Sequence, residues 1–132
     1  MRMGMRAMDK PEAIVLERID DIGVCRIVGQ YTMSAGIELI RACIAQAYEQ
    51  RISKLMVVIT ETSGYEVPSL AMRMAMVREW ADAARGFVRP AIVCRREFID
   101  PGKFGITMAA NFGMKTEAFD TEDEALGWLQ AL

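Results

Sequence analysis

The chain has no histidine among its 132 residues, and that absence excludes more chemistry than any residue present adds. Without an imidazole there is no Ser-His-Asp or Cys-His arrangement and no histidine-ligated metal. A lysine or carboxylate base remains, but no paired motif advertises one. Cysteine is sparse: Cys25, Cys43 and Cys94 are odd in number, widely spaced and set among apolar neighbours. That pattern predicts three reduced core thiols in a cytoplasmic protein, not a disulfide framework or a zinc site. Long apolar runs are missing too. None approaches the ~18 residues of a membrane span, and Met1 to Arg6 lacks the apolar centre of an export signal. Nor does one sign of charge dominate: 16 basic against 18 acidic residues leave a net charge of -2, which gives no reason to expect nucleic acid or an anionic membrane as partner.

What is present suits one α/β domain. A mobile tail is expected over residues 1–11, with a single domain over 12–132. The organising stretch is Leu55 to Thr60, six apolar or β-branched residues in a row, as in a strand buried on both faces with helices above and below the sheet. The loop Glu61 to Tyr65 should then lie at the carboxyl edge of the sheet, where open α/β folds place ligands. Before it, Ala13 to Arg18 and Val24 to Val28, separated by the acidic turn Asp20-Asp21-Ile22-Gly23, predict a hairpin. Thr32 or Ser34 caps a helix that runs to about Gln50 and buries Ile37, Ile40, Ile44 and Ala47.

After the central strand, a second helix is predicted from Pro68 or Ser69 to Gly86, then a short strand Ala91 to Cys94. A third helix, capped by Asp100 with Pro101 in its first turn, ends at Gly113. Lys115 to Phe119 makes a fifth strand, and Thr121 opens a last helix whose buried stripe is Ala125, Trp128, Leu129 and Leu132. The expected architecture is an N-terminal β-hairpin followed by alternating helices and strands, giving a mostly parallel five-stranded sheet with four helices.

That order, with the ending Glu117-Ala118-Phe119-Asp120-Thr121-Glu122-Asp123-Glu124-Ala125-Leu126-Gly127-Trp128-Leu129, resembles the SpoIIAA-like (STAS-like) proteins. The resemblance runs from about Ala13 to Leu132. It implies a small cytoplasmic bacterial domain of the kind that includes anti-sigma-factor antagonists, non-enzymatic, without cofactor, regulating through association with a protein. It also singles out Ser63. In the antagonists the strand at this place runs through Asp-Ser into a helix, and phosphorylation of that serine breaks partner binding. Here Thr62 stands where the aspartate would be, and Tyr65-Glu66-Val67-Pro68 intervene before the helix, so Ser63 is not expected to be a strong kinase-controlled switch. Ser69 fits better by helix position but lacks the motif.

The same edge also reads as a small-molecule site. Ser63, Tyr65, Arg95, Arg96 and Lys103 follow strands expected to be neighbours and would converge on one crevice, with Lys103 and the amides around Gly102 offering an anion site at a helix start.

The second helix carries two apolar stripes. Leu70, Met74, Val77, Ala81 and Ala84 form the face expected to cover the sheet, while Met72, Met76, Trp80 and Ala83 form another. The second stripe is either covered by neighbouring helices or forms a partner or homodimer interface with Trp80 as its anchor; the expectation here is the interface.

Overall fold

Along the middle of the chain, alternate side chains leave the backbone on opposite sides: Leu55 and Val57 enter one buried cluster, Met56 and Val58 another. In the computed structural model, which describes residues 16–132, these residues lie in the central strand of a five-stranded sheet. The elements are β1 (Glu17–Ile19), β2 (Ile22–Gln30), α1 (Met33–Glu49), β3 (Lys54–Ser63), α2 (Leu70–Ala84), β4 (Arg89–Val93), α3 (Phe104–Asn111), β5 (Glu117–Phe119) and α4 (Glu122–Gln130), with one turn of 3-10 helix at Arg96–Phe98.

Strand order in the sheet follows chain order. β1 pairs antiparallel with β2, and β2 to β5 pair parallel. Successive crossovers of one hand between adjacent parallel strands put α1, α2 and α3 on the same face, leaving α4 to cover the other. The two clusters match that division. One joins Ile40, Ile44, Val77, Trp80 and Ala109 to Leu55 and Val57; the other joins Ala125 and Leu129 to Ile22, Val24, Met56 and Val58. The α/β class, the hairpin start, the five strands and the four helices agree with the sequence expectation.

Local signals also land where expected. Thr32 caps α1 by accepting from Ala35 N at 3.2 Å, Ser69 caps α2 from Met72 N at 3.2 Å, and Thr121 caps α4 from Glu124 N at 3.3 Å. Each hydroxyl satisfies a backbone donor that the first helical turn leaves free.

Several boundaries differ. The tail of residues 1–11 and the start of the first expected strand lie outside the described residues. The turn is tighter than expected: Ile22 and Gly23 already pair with Ile19 and Arg18, and Asp20 takes φ 55°. The central strand runs on to Ser63 instead of ending at Thr60, because β2 continues to Gln30 and pairs Val28, Gly29 and Gln30 with Glu61, Thr62 and Ser63 after a register shift. The third helix begins at Phe104 and not at Pro101. Asp100 still serves its start from a distance, its Oδ2 accepting from Phe104 N at 2.7 Å across Lys103, which takes φ 56°.

The cysteines correct the expectation of three free thiols. Cys25 on β2 and Cys43 on α1 face each other in the same core cluster with their Cα atoms 6.5 Å apart, and they are joined as a disulfide. A separation of 18 residues hides that meeting from the sequence; α1 packing back over β2 creates it. The thiol count therefore no longer argues for a reducing compartment. Cys94 remains free and buried, and burial pushes its thiol up to about 11. Alkylation of native, unreduced protein at pH 8 is expected to label no cysteine; unfolding without reductant should expose Cys94 alone, and reduction should expose all three. Mass spectrometry that finds Cys25 or Cys43 alkylated before reduction would dismiss the link.

Candidate functional site

β2, β3 and β4 end side by side, and beyond their carboxyl ends the loops into α1, α2 and α3 gather. On the side covered by those three helices the structure forms a partly open apolar cavity of about 150 Å³. Its floor is the sheet, through Ile27, Ile59 and Ile92; Ile37 of α1 and Val77 and Trp80 of α2 form walls. This is the crevice at the strand ends where open α/β folds hold ligands.

The rim is locked by polar contacts. Thr62, the one buried polar residue among the described residues, gives its hydroxyl to Ile59 O at 2.7 Å and shares a hydrogen bond with the Tyr65 hydroxyl. The Tyr65 ring stands 5.4 Å from Phe98, and Arg95 donates to Thr62 O at 2.8 Å while its guanidinium lies 5.1 Å from the Phe98 ring. Thus the β3–α2 loop is tied to the 3-10 turn.

Of the five residues expected to converge here, only Tyr65 and Lys103 line the cavity. Arg95 braces the rim from behind. Arg96 turns away to Asp120, with Nε to Oδ2 at 2.9 Å, and that bond holds the Asp120 carboxyl below its ordinary range. Lys103 is spent on Glu117 at 3.4 Å, so the anion site expected at this helix start is not formed by its side chain. Ser63 is the last residue of β3, exposed, with its carbonyl accepting from Tyr31 N at 2.8 Å; it stands well before Leu70 and not at a helix start. Ser69 is the residue at the helix start, its hydroxyl engaged as the cap.

The interface expectation needs the largest correction. Trp80 is 8% exposed and lies in the core, its indole Nε1 donating to Ile37 O of α1 at 3.0 Å. Met76 is half-buried against the same cluster, and of the expected trio only Met72 stays on the surface. The reason is that α2 packs against α1 and α3 as well as over the sheet. Val77, Ala81 and Ala84 reach the buried core while the adjacent stripe is taken by α1, and Leu70 and Met74, expected to cover the sheet, join Met72 as exposed residues at the amino end of the helix.

Sequence reasoning missed Arg73 and Phe98 as site residues. Arg73 fell between the two apolar stripes, and Phe98 belonged to a loop with no periodicity to assign it.

No family model matches the sequence, and no curated protein does. Solved structures do share its fold. An anti-sigma factor antagonist from Mycobacterium paratuberculosis superposes with a TM-score of 0.58 at 14% identity, over 89% of this chain and 93% of its own. A Thermotoga maritima protein of proposed anti-sigma factor antagonist function gives 0.53 at 12% identity, over 91% of this chain and 97% of its own. The anti-sigma factor antagonist SpoIIAA in its unphosphorylated form gives 0.46 at 22% identity, over 91% of this chain and 100% of its own. The fold is thus the α/β fold of the Mycobacterium paratuberculosis and Thermotoga maritima proteins.

Proposed function

We propose that the chain is a non-enzymatic STAS-like domain that regulates by associating with a protein partner, through the surface where β3 leads into α2. The observation that carries this reading is the apolar run at that place: Val67, Leu70 and Met74 are 48%, 61% and 42% exposed. Leu70 and Met74 share a helix face one turn apart, and a leucine left mostly in water beside a methionine forgoes burial free energy that a partner would recover. The fold shared with an anti-sigma factor antagonist adds an analogy of fold, which does not say what this chain binds.

The chemistry of the described residues favours binding over catalysis. Cys94 stays a thiol at neutral pH because burial raises it to about 11, and Cys25 and Cys43 are joined. In the cavity Asp100 accepts from Gly102 N and Phe104 N, and Lys103 pairs with Glu117, so neither is poised to move a proton on a substrate.

The test is capture. Tagged wild-type protein expressed in its host is expected to retain one protein in stoichiometric amount, and the double variant Leu70→Asp, Met74→Asp should retain at least ~30-fold less, the size of a hot-spot loss of about 2 kcal/mol. Its own stability should change by no more than ~0.5 kcal/mol, as for a surface change. Undiminished capture by the double variant, or no capture by the wild type, would remove the proposal.

A further inference from the structure

Val67, Leu70 and Met74, on which the association proposal rests, do not line the cavity. We infer that it is a binding site for a small amphipathic carboxylic acid, with the apolar body inside and the carboxylate on Arg73. The inference is independent of the protein-partner proposal.

Size comes first. About 150 Å³ is the size of apolar cavities that accept a benzene-sized guest, so the body is a single ring or a short branched chain. The interior gives water little to hold. Ile27, Ile59, Ile92, Ile37 and Val77 are hydrocarbon, the Thr62 hydroxyl is satisfied within the protein, and the Trp80 N–H is committed to Ile37 O. An apolar guest would gain contacts that the lining of an empty void lacks.

Charge selects the head group. Among the described residues, four charged side chains line the cavity: Arg73, Asp100, Lys103 and Glu117. Lys103 and Glu117 neutralise each other at 3.4 Å, and both oxygens of Asp100 accept backbone N–H groups, at 3.3 Å from Gly102 and 2.7 Å from Phe104. Arg73 is different. Among the described residues its guanidinium makes one hydrogen bond, a long contact from Nη1 to Phe98 O at 3.4 Å, and has no carboxylate partner. A guanidinium with unused donors at the edge of an apolar cavity matches a carboxylate two oxygens at a time. One such cation balances one carboxylate, whereas a phosphate monoester with its ~1.5–2 charges would need a second free cation.

The probes are phenylacetate and its neutral isostere phenylacetamide. The reporter is the fluorescence of Trp80, which lines the cavity, in a Trp128→Phe background because Trp128 packs in the other cluster. Phenylacetate is expected to change the Trp80 signal saturably and to raise the melting temperature, with phenylacetamide at least ~10-fold weaker, a modest return for one charge-assisted pair. Arg73→Gln should lower phenylacetate to the level of the amide without unfolding the domain. Ile106→Phe, which adds bulk from α3, should abolish both. No saturable response to either compound at millimolar concentration overturns the site. Equal binding of the two, or phenylacetate binding unchanged by Arg73→Gln, overturns the carboxylate assignment. Full binding by a folded Ile106→Phe protein places the ligand elsewhere and overturns the cavity as its seat.

Discussion

Trp80→Ala is expected to cost about 4 kcal/mol, the usual toll for truncating a buried tryptophan, and so to remove a large share of the ~5–15 kcal/mol that holds a domain together. Two losses combine. The ring lies in the cluster that joins α1, α2 and α3 to the sheet, so removing it leaves a hole that tightly packed neighbours refill only in part. The indole N–H also disappears from Ile37 O, its partner at 3.0 Å, leaving a carbonyl with one acceptor unused. Urea titration followed by circular dichroism should show a much lower midpoint with little change in slope. Trp80→Phe, which keeps most of the volume and drops the hydrogen bond, should cost roughly 1–2 kcal/mol. A fully stable Trp80→Ala protein that merely changes its state of association would restore the view of Trp80 as a surface anchor.

The second large effect lies at the rim of the cavity. Gly64 follows the last residue of β3 at φ 104°, and a Cβ placed there would sit 2.5 Å from Tyr31 O and 3.1 Å from Tyr31 N. Both of those atoms are backbone, next to the Tyr31 N to Ser63 O bond that ties the start of α1 to the end of β3. Gly64→Ala therefore adds a conformational penalty of ~1–3 kcal/mol to an overpacking penalty of similar size, roughly 3 kcal/mol in all. Gly86 separates the two. It also has positive φ, 70°, but nothing lies within 4 Å of its Cβ position, so Gly86→Ala should cost only about 1 kcal/mol. Equal losses from the two substitutions, measured by thermal or urea unfolding, would show that close packing against Tyr31 contributes nothing.

The proposed ligand site and the proposed partner surface share the β3–α2 connection. Tyr65 and Pro68 line the cavity, and Val67 beside them is exposed. Association and occupancy can be measured separately, since Leu70 and Met74 are not cavity residues and Arg73 is.

Local chemistry was legible in the order of residues. Thr121 declared one helix start, and the pairs Thr32 or Ser34 and Pro68 or Ser69 placed two more, because capping needs only a hydroxyl and the next turn of backbone; the structure assigns the caps to Thr32, Ser69 and Thr121. The unbroken run at Leu55 declared the central strand because a strand covered on both faces has no polar side to show. Trp128 and Leu132 declared the stripe of α4 by spacing alone, and α4 meets a single surface, so one stripe was enough. α2 meets the sheet, α1 and α3, and two stripes read in one dimension cannot say which faces which neighbour. That is why Trp80 read as an interface when it is core. The extension of β3 to Ser63 was settled by its pairing with β2, the Cys25–Cys43 link by α1 folding back over that strand, and the cavity by loops that meet only once the sheet has formed. Periodicity and capping act over one or two turns of chain, so the sequence by itself determined the elements and their order. Which of the apolar and charged side chains share a space depends on contacts between residues far apart in the chain, and only the tertiary structure decided that.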